Sequence, residues 1–541
     1  MAEKFNRATF SRNFLKNITR IKNPDEMIED AKSDGLEKSL GVWDLIILGV
    51  GAIIGSGIFA VVGIAAAGSA DGSSLGAGPA LVISMVVAAI ACIFSALCYS
   101  EFATMIPVAG GAYTYTFATL GEFAAWMVGW VLMLEYAIGF IAVACAWSNY
   151  LMQFLQILQY NLLQYNMHLP EWLVNPPVWL TNDVFTVGKM LSENPDLSVP
   201  TLLGVPICIN IPAIAIVLLM TAILVKGTKD SAKMAGVMVF IKLAVIFLFV
   251  LVGAASFLHT PPHWVPFNMQ TFAPNGMAGI WSAAFLIFFA YIGFDALATA
   301  AEECKNPQKD LPIGIIGSLA VTTVVYVLVA LVLTGMVDTS GDVSLSFLKA
   351  PMVYCMNIIG HDKLASLISV GSLAGLTSVL LVLEMAATRI LFAMSRDHFI
   401  SKKFQAIHPK FKTPALLTWT VGLMAVIGIL TLDLNVAAEL CNYGTFTSFI
   451  IVCVAVLILR KTDPDRKRPF KVPFSPYTPA LGIICCGGLM VYKFMQSGTS
   501  AMLFPVWIGI GAIIYLLYGF IRNRDNENKL HKELVHGKVE K

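Results

Sequence analysis

The chain has 541 residues, of which 57% are hydrophobic and 13% are charged, and its mean hydropathy is +0.75. These values exclude an ordinary soluble domain and indicate a protein that crosses a membrane many times. The formal net charge of +2 gives no reason to expect a nucleic-acid partner. We also find no CxxC pair, phosphate-binding loop or nucleophile elbow, so we expect no cofactor, no metal and no enzymatic activity.

Residues 1–42 contain no apolar core of the signal-peptide type, and we expect them to form a cytoplasmic arm. After the arm, apolar windows of about 20 residues predict twelve membrane-spanning helices. A polar tail, 522–541, is expected to follow the last of them. The predicted spans are 43–68, 79–104, 122–151, 206–225, 234–258, 278–302, 312–336, 363–395, 414–432, 437–459, 478–495 and 503–521.

The basic residues predict the orientation of these spans. If both termini are cytoplasmic, 30 of the 36 Lys and Arg residues lie on the cytoplasmic side. Such a distribution is typical of membrane proteins, whose cytoplasmic loops are enriched in Lys and Arg. We therefore expect a multi-pass protein of the cytoplasmic membrane with both ends inside. Two basic residues fall within spans, Lys242 and Arg389, and four fall on the outer side, Lys189, Lys349, Lys363 and Lys493.

The first predicted span has three glycines within the nine residues Gly51–Phe59, and Gly55-Ser-Gly57 lies near its middle. Glycine weakens a helix interior, and an unpaired peptide group in hydrocarbon costs several kcal/mol. We therefore predict a discontinuous helix whose break lines a ligand site. Close helix packing through small residues is the alternative explanation.

The sixth span, 278–302, contains a second irregular stretch, with Gly293 and the carboxylate of Asp295 inside an apolar run. Because the two irregular helices are five spans apart, they enter the membrane from opposite sides. Matching interruptions in oppositely oriented halves are typical of inverted-repeat transporters. We predict two five-span repeats, 43–258 and 278–459, with 478–521 as two further spans.

Two such breaks suit a zwitterion, and an α-amino acid in particular. Free N–H groups where the first helix resumes hold a carboxylate, and free carbonyl groups at the ends of the half-helices accept bonds from an ammonium group. Phe289 is in addition a candidate lid, with ordinary core packing as the alternative. The residues expected to hold the substrate backbone are Ile53, Ile54, Gly55, Ser56, Gly57, Phe289, Ala290 and Ile292.

Further motifs, in order along the chain, give the sequence a family resemblance. With them the chain resembles the amino acid–polyamine–cation superfamily, and within it the bacterial relatives of the cationic amino acid transporters. The resemblance implies the five-plus-five inverted-repeat (LeuT-like) fold, alternating access and amino acid transport. The stretches are Tyr99–Tyr115, Gly129–Tyr150, Glu302–Pro312, Arg389–Asp397 and Leu459–Phe470.

Lys242 lies about eight residues into the fifth predicted span. Its ammonium group is expensive in hydrocarbon, and burial favours the neutral amine, so the group is a candidate for proton exchange. Snorkelling of the side chain to the cytoplasmic interface is the alternative. Relatives that carry a lysine here use it for proton coupling, which favours proton symport over sodium coupling.

Three buried carboxylates are candidates for contact with the substrate side chain. Glu135 lies near the middle of the third span, and Asp295 begins the second half of the sixth, where a helix N-cap is the alternative role. Glu384 departs from the family pattern, and pairing with Arg389 is its alternative role. Together with Leu383, it occupies a position that shapes substrate size in relatives.

The sequence thus predicts a transporter that imports L-amino acids, cationic and/or small and neutral, by proton symport with alternating access. The alternative is an amino acid exchanger without obligatory proton coupling. The expected partners are the L-amino acid substrate and the lipid bilayer. The participation of a small membrane subunit stays open.

Overall fold

A computed structural model describes residues 18–33, 40–158 and 201–536, except 70, 71, 73, 109, 203, 204, 207, 208, 265–267, 300, 302, 303, 340, 342, 398, 412, 433 and 497. Parts of the predicted arm and tail therefore lie outside the described residues. The division into two repeats stays a prediction.

Most of the described backbone is helical, and only two short strands pair, β1 (Thr201–Leu202) with β2 (Val205–Pro206). The helices of the first half are α1 Pro24–Ser33, α2 Val42–Ile53, α3 Val62–Ala67, α4 Leu81–Met105, α5 Gly111–Phe117, α6 Glu122–Met133, α7 Gly139–Leu158, α8 Ile211–Lys226 and α9 Thr228–Ser256. Those of the second half are α10 Met269–Phe272, α11 Gly276–Ile287, α12 Ala296–Thr299, α13 Pro307–Met336, α14 Leu345–Lys349, α15 Pro351–Ile358, α16 Asp362–Arg396, α17 Ala415–Ile429, α18 Leu434–Thr462, α19 Tyr477–Met495 and α20 Thr499–His536.

Within the described residues, nine helical segments are long and apolar enough to cross a membrane. A tenth is the bent pair of Val42–Ile53 and Gly57–Ala67, whose parts meet at 46°. Two shorter apolar helices, Ile211–Lys226 and Ala415–Ile429, lie where the sequence predicts the fourth and ninth spans. The all-helical membrane architecture agrees with the sequence analysis, while the count of twelve stays a prediction.

The irregular spans lie in the interior, and the last two helices lie at the periphery. In the span Met269–Thr299, 83% of the apolar window is buried, compared with 28% in Thr499–Leu517. Helix α13 packs against α2 and α4, and α16 packs against α7 and α9. The breaks of the two interrupted helices, near residues 54–57 and 288–292, are therefore buried among other helices.

At the end of the molecule that the charge distribution predicts to face the cytoplasm, three ion pairs tie residues 18–28 to separate elements. Arg20 Nε lies 3.1 Å from Glu122 Oε2, and Lys22 Nζ lies 3.2 Å from Asp397 Oδ1. Arg466 Nη2 lies 2.8 Å from Asp25 Oδ1. The arm thus contacts the start of α6, the end of α16 and the loop after α18.

Candidate substrate site

Both helix breaks are present, and they contact each other. Helix α2 ends at Ile53, and the chain resumes at Gly57 in a wide π-helical turn, Gly57–Val61. A methyl group on Gly57 would lie 2.3 Å from the Ala290 Cα atom. Gly293 has a φ of +123°, and a methyl group there would lie 2.9 Å from the Ala52 carbonyl. Each break therefore requires a glycine where the other break approaches it.

Lys242 reaches the end of the first half-helix from α9. The side chain is buried (0% exposed), and Nζ donates hydrogen bonds to the Gly51 and Ile54 carbonyl oxygens, the second over 2.6 Å. It does not extend to the cytoplasmic interface, as snorkelling would require. An ammonium group is thus fixed at the negative end of α2, where a cation is favoured.

Tyr326 of α13 links the two breaks through its hydroxyl group. The oxygen lies 3.0 Å from the Ile53 carbonyl oxygen and 2.8 Å from the Ala290 carbonyl oxygen. A phenol has one proton, so it fully satisfies only one of these acceptors at a time. Sequence reasoning missed this residue, because its position beside the breaks depends on how α13 packs.

A cavity of ≈ 20 Å³ lies between the breaks, which is room for about one water molecule. Ser56 provides a buried hydroxyl group that makes no hydrogen bond within the described part of the chain. Most of the other lining side chains are apolar. The lining residues are Ala52, Ile53, Gly55, Ser56, Gly57, Glu135, Gly139, Val143, Phe289, Ile292, Val379, Leu383 and Cys441.

Eight of the twelve residues predicted to contact the substrate border this cavity: Ile53, Gly55, Ser56, Gly57, Glu135, Phe289, Ile292 and Leu383. Ile54 and Ala290 lie beside it, with their carbonyl groups bonded to Lys242 and Tyr326. Gly139, Val143, Val379 and Cys441 were not predicted. Small and apolar residues are common throughout membrane helices, so their sequence carries no signal that they face a site.

Glu135 Oε1 and Asp295 Oδ1 are both buried and make no hydrogen bond within the described part of the chain. Glu135 lies in a π-helical turn, Leu134–Ile138, and Ser448 donates to Oε2 over 3.5 Å. The Tyr136 hydroxyl donates to Asp295 Oδ2. Glu135 borders the cavity, whereas Asp295 is bonded to Tyr136 and is not among the lining residues.

Leu383 and Glu384 point in different directions from α16. Leu383 lines the cavity, whereas Glu384 Oε1 accepts a 2.6 Å hydrogen bond from Thr221 of α8. Glu384 is buried and Arg389 is exposed, and no ion pair joins these two residues. The structure thus brings Leu383 into the site and leaves Glu384 at an interface between helices.

This placement makes Glu384→Gln a mild change. Glutamine keeps an oxygen that accepts from Thr221 and introduces no charge, so we expect the ratio of basic to neutral amino acid uptake to stay within about twofold of the parent value. Competition of arginine and alanine against one labelled substrate measures this ratio. A larger change in the ratio would place Glu384 in contact with the substrate.

Comparisons with known proteins agree with this architecture. The family model described as "Amino acid permease" matches residues 40–519. The methylthioribose transporter of Bacillus subtilis (strain 168) is 39% identical over 508 residues, which cover 93% of this chain and 98% of the relative. The branched-chain amino acid permease BcaP of the same organism is 38% identical over 512 residues, covering 94% and 99%.

A plant relative extends the match beyond bacteria. The chloroplastic cationic amino acid transporter 9 of Arabidopsis thaliana is 31% identical over 490 residues, covering 90% of this chain and 78% of the relative. The resemblance stated from the motifs is thereby confirmed, and a transporter is indicated instead of an enzyme. The chain belongs to the amino acid permease family of the amino acid–polyamine–cation superfamily.

Proposed function

We propose that the protein imports L-amino acids across the cytoplasmic membrane by proton-coupled symport with alternating access. The observation that carries the proposal is the direct contact of two helix breaks beside a small cavity. Backbone polar groups border one part of that cavity and apolar side chains border the rest. A molecule with a charged α-amino and α-carboxyl end and an apolar side chain fits this division.

The first break supplies the carboxylate site. The initial N–H groups of a helix have no acceptor within it, and the positive end of the helix favours an anion. Here these groups belong to Gly55, Ser56 and Gly57, with the unpaired Ser56 hydroxyl beside them. The substrate ammonium group would compete for the Ile53 and Ala290 carbonyl groups that share the Tyr326 proton.

The side-chain part of the cavity favours small aliphatic amino acids over cationic ones. Its wall consists of Val143, Val379, Leu383 and Ile292, with Glu135 as the one carboxylate among the described lining residues. A basic side chain would have this single carboxylate as its charged partner, and a buried charge that is incompletely paired is costly. The similarity to BcaP is consistent with this preference.

The cavity volume supports alternating access. At ≈ 20 Å³ the space is too small for any amino acid, so its walls must separate for substrate to enter. In an inverted-repeat transporter this separation occurs on one side of the membrane at a time. The proposed topology has twelve spans, of which ten form two five-helix repeats and two follow them. Both termini lie in the cytoplasm in this topology.

Proton coupling rests on Lys242. Its ammonium group bonds to the carbonyl groups at the first break, so loss of a proton would weaken those bonds where the substrate lies. The rival is an exchanger, in which Lys242 is only structural. Uptake into proteoliposomes with and without an inward proton gradient tests this: stimulation by internal amino acid alone, with indifference to the gradient, would establish exchange.

Methylthioribose is a second candidate substrate, because the protein 39% identical to this chain is named a methylthioribose transporter. A sugar needs several polar side chains to bond its hydroxyl groups. Only Ser56 and Glu135 carry side-chain oxygen at the cavity. We expect unlabelled methylthioribose to compete weakly with labelled leucine or alanine. Full inhibition of leucine uptake by methylthioribose at a concentration below that of leucine would favour the sugar as the substrate.

Leu383→Ala tests the side-chain wall. Replacement of the isobutyl side chain by a methyl group enlarges the pocket. A hydrophobic pocket discriminates between substrates that differ by one methylene group by about 1–3 kcal/mol. We expect the preference for phenylalanine over alanine to rise by about tenfold or more, measured as a ratio of initial uptake rates. Leu381→Ala is the matched control, because Leu381 is buried on the same helix but does not line the cavity; equal effects of both variants would contradict the assignment.

A further inference from the structure

A buried ion pair lies far from the proposed proton site, at the end of the molecule opposite the arm. Glu439 of α18 and Lys493 of α19 are 3% and 1% exposed, and Lys493 Nζ lies 2.7 Å from Glu439 Oε1. The charge distribution predicted that Lys493 lies on the outer side of the membrane. Two buried charges are costly to desolvate. Helix packing alone does not explain why this position carries an ion pair.

The pair is tied to two further elements by serine hydroxyl groups. Ser74, in the loop between α3 and α4, donates to Glu439 Oε1 over 3.1 Å and accepts from Lys493 Nζ over 3.0 Å. Ser500 of α20 donates to Glu439 Oε2 over 2.5 Å. Glu439 therefore holds together α18, α19, α20 and the loop that follows the second half of the first broken helix.

Residues 74–77 of that loop also contact the outer half of the second broken helix. Asn275 Nδ2 donates to the Gly76 carbonyl oxygen over 2.9 Å, and the Ser282 hydroxyl accepts from Leu75 N–H over 3.2 Å. A methyl group on Gly279 would lie 2.4 Å from the Gly76 carbonyl oxygen. The loop is thus wedged between α11 and the buried ion pair.

The same helix that carries Glu439 reaches the site itself. Three residues further on, Asn442 Nδ2 donates to the Phe285 carbonyl oxygen over 2.7 Å, just before the second break. Cys441 lines the cavity, and its thiol lies 3.0 Å from the Glu135 carbonyl oxygen. Helix α18 therefore connects the outer loop to the cavity wall.

We propose that Glu439, Lys493 and Ser74 form an outer latch, which holds residues 74–77 against the outer half of the second broken helix and releases them when the site opens to the outside. The latch rests on the alternating access proposed above, but its geometry does not involve Lys242 or the substrate. A charge pair suits a latch because its bonds are strong when dry and are replaced by water when the loop lifts.

The native thiol of Cys441 provides the assay. Purified protein is reconstituted in proteoliposomes, and a membrane-impermeant thiol reagent is added outside. Mass spectrometry then follows the modification of the peptide that contains Cys441. In protein oriented with this end outward, Glu439→Gln is expected to raise the labelling rate by about tenfold or more, because loss of one partner from a buried charge pair is strongly destabilising to the closed form. Lys493→Met is expected to act in the same direction.

The matched control breaks a comparable pair at the opposite end. Glu101 is 1% exposed and is bonded to Arg460, so Glu101→Gln removes a similar buried charge near the cytoplasmic ends of α4 and α18. It is expected to leave outer labelling of Cys441 at the parent rate. Equal acceleration by Glu101→Gln, or a lowered melting temperature of Glu439→Gln without faster labelling, would overturn the latch and make the pair structural. Neither result depends on uptake, so the proposed transport activity stands or falls separately.

Discussion

Replacement of Lys242 by methionine is expected to reduce proton-driven accumulation of amino acid to the level seen without a gradient. The substitution removes the only cation that contacts the Gly51 and Ile54 carbonyl groups within the described structure. Each buried carbonyl group left without a donor costs about 1–3 kcal/mol. The break would then lose both its proton-carrying group and the hydrogen bonds that hold its carbonyl groups in place.

Two measurements separate coupling from folding in the Lys242→Met variant. Counterflow of labelled amino acid between equal pools needs no gradient, and it is expected to persist at a reduced rate. Thermal unfolding checks that the variant is folded. Lys226→Met is the control, since Lys226 lies exposed in the last turn of α8. Gradient-dependent accumulation by Lys242→Met would show that the proton binds elsewhere.

Gly57→Ala is expected to lower uptake about 10- to 100-fold, because overpacking of a tight contact typically costs about 1–3 kcal/mol. The added methyl group would lie 2.3 Å from Ala290 Cα and 2.8 Å from Ala290 N. These are backbone atoms, so relief requires the two broken helices to move apart. Such a shift would displace both the carboxylate site and the carbonyl groups of the second break.

The control is Gly509→Ala in α20, where an added methyl group meets no atom within 4 Å. Alanine is also the better helix former, so this variant is expected to match or exceed the parent in melting temperature and to match it in uptake. Initial rates of labelled substrate uptake, normalised to the amount of reconstituted protein, compare the two. Parental uptake by Gly57→Ala would mean that the breaks do not approach each other as described.

Local chemistry explains why the breaks were predictable and their partners were not. Gly55-Ser-Gly57 and Gly293 are conspicuous in apolar runs, because few residues tolerate a freed peptide group or a positive φ there. Tyr326 gives no comparable signal, since a tyrosine in a membrane helix is ordinary. Its hydroxyl group becomes part of the site only because α13 packs behind both breaks.

For the buried charged residues too, the sequence indicated the residues but did not indicate their partners. Sequence position identified Lys242, Glu135, Asp295 and Glu384 as costly in hydrocarbon, but it did not indicate which of them face a common space. Helical geometry then separates neighbours, since consecutive residues on a helix lie about 100° apart. As a result Leu383 borders the cavity, while Glu384 bonds to Thr221 on another helix.

Composition, local periodicity and the intolerance of hydrocarbon for unpaired peptide groups are enough to establish the membrane class, the family and the two discontinuous helices. The packing of the helices, in contrast, brings Lys242 to the first break, joins the two breaks through Tyr326 and pairs Lys493 with Glu439. Those contacts join residues far apart in the chain. They depend on the packing of whole helices, which no local pattern specifies.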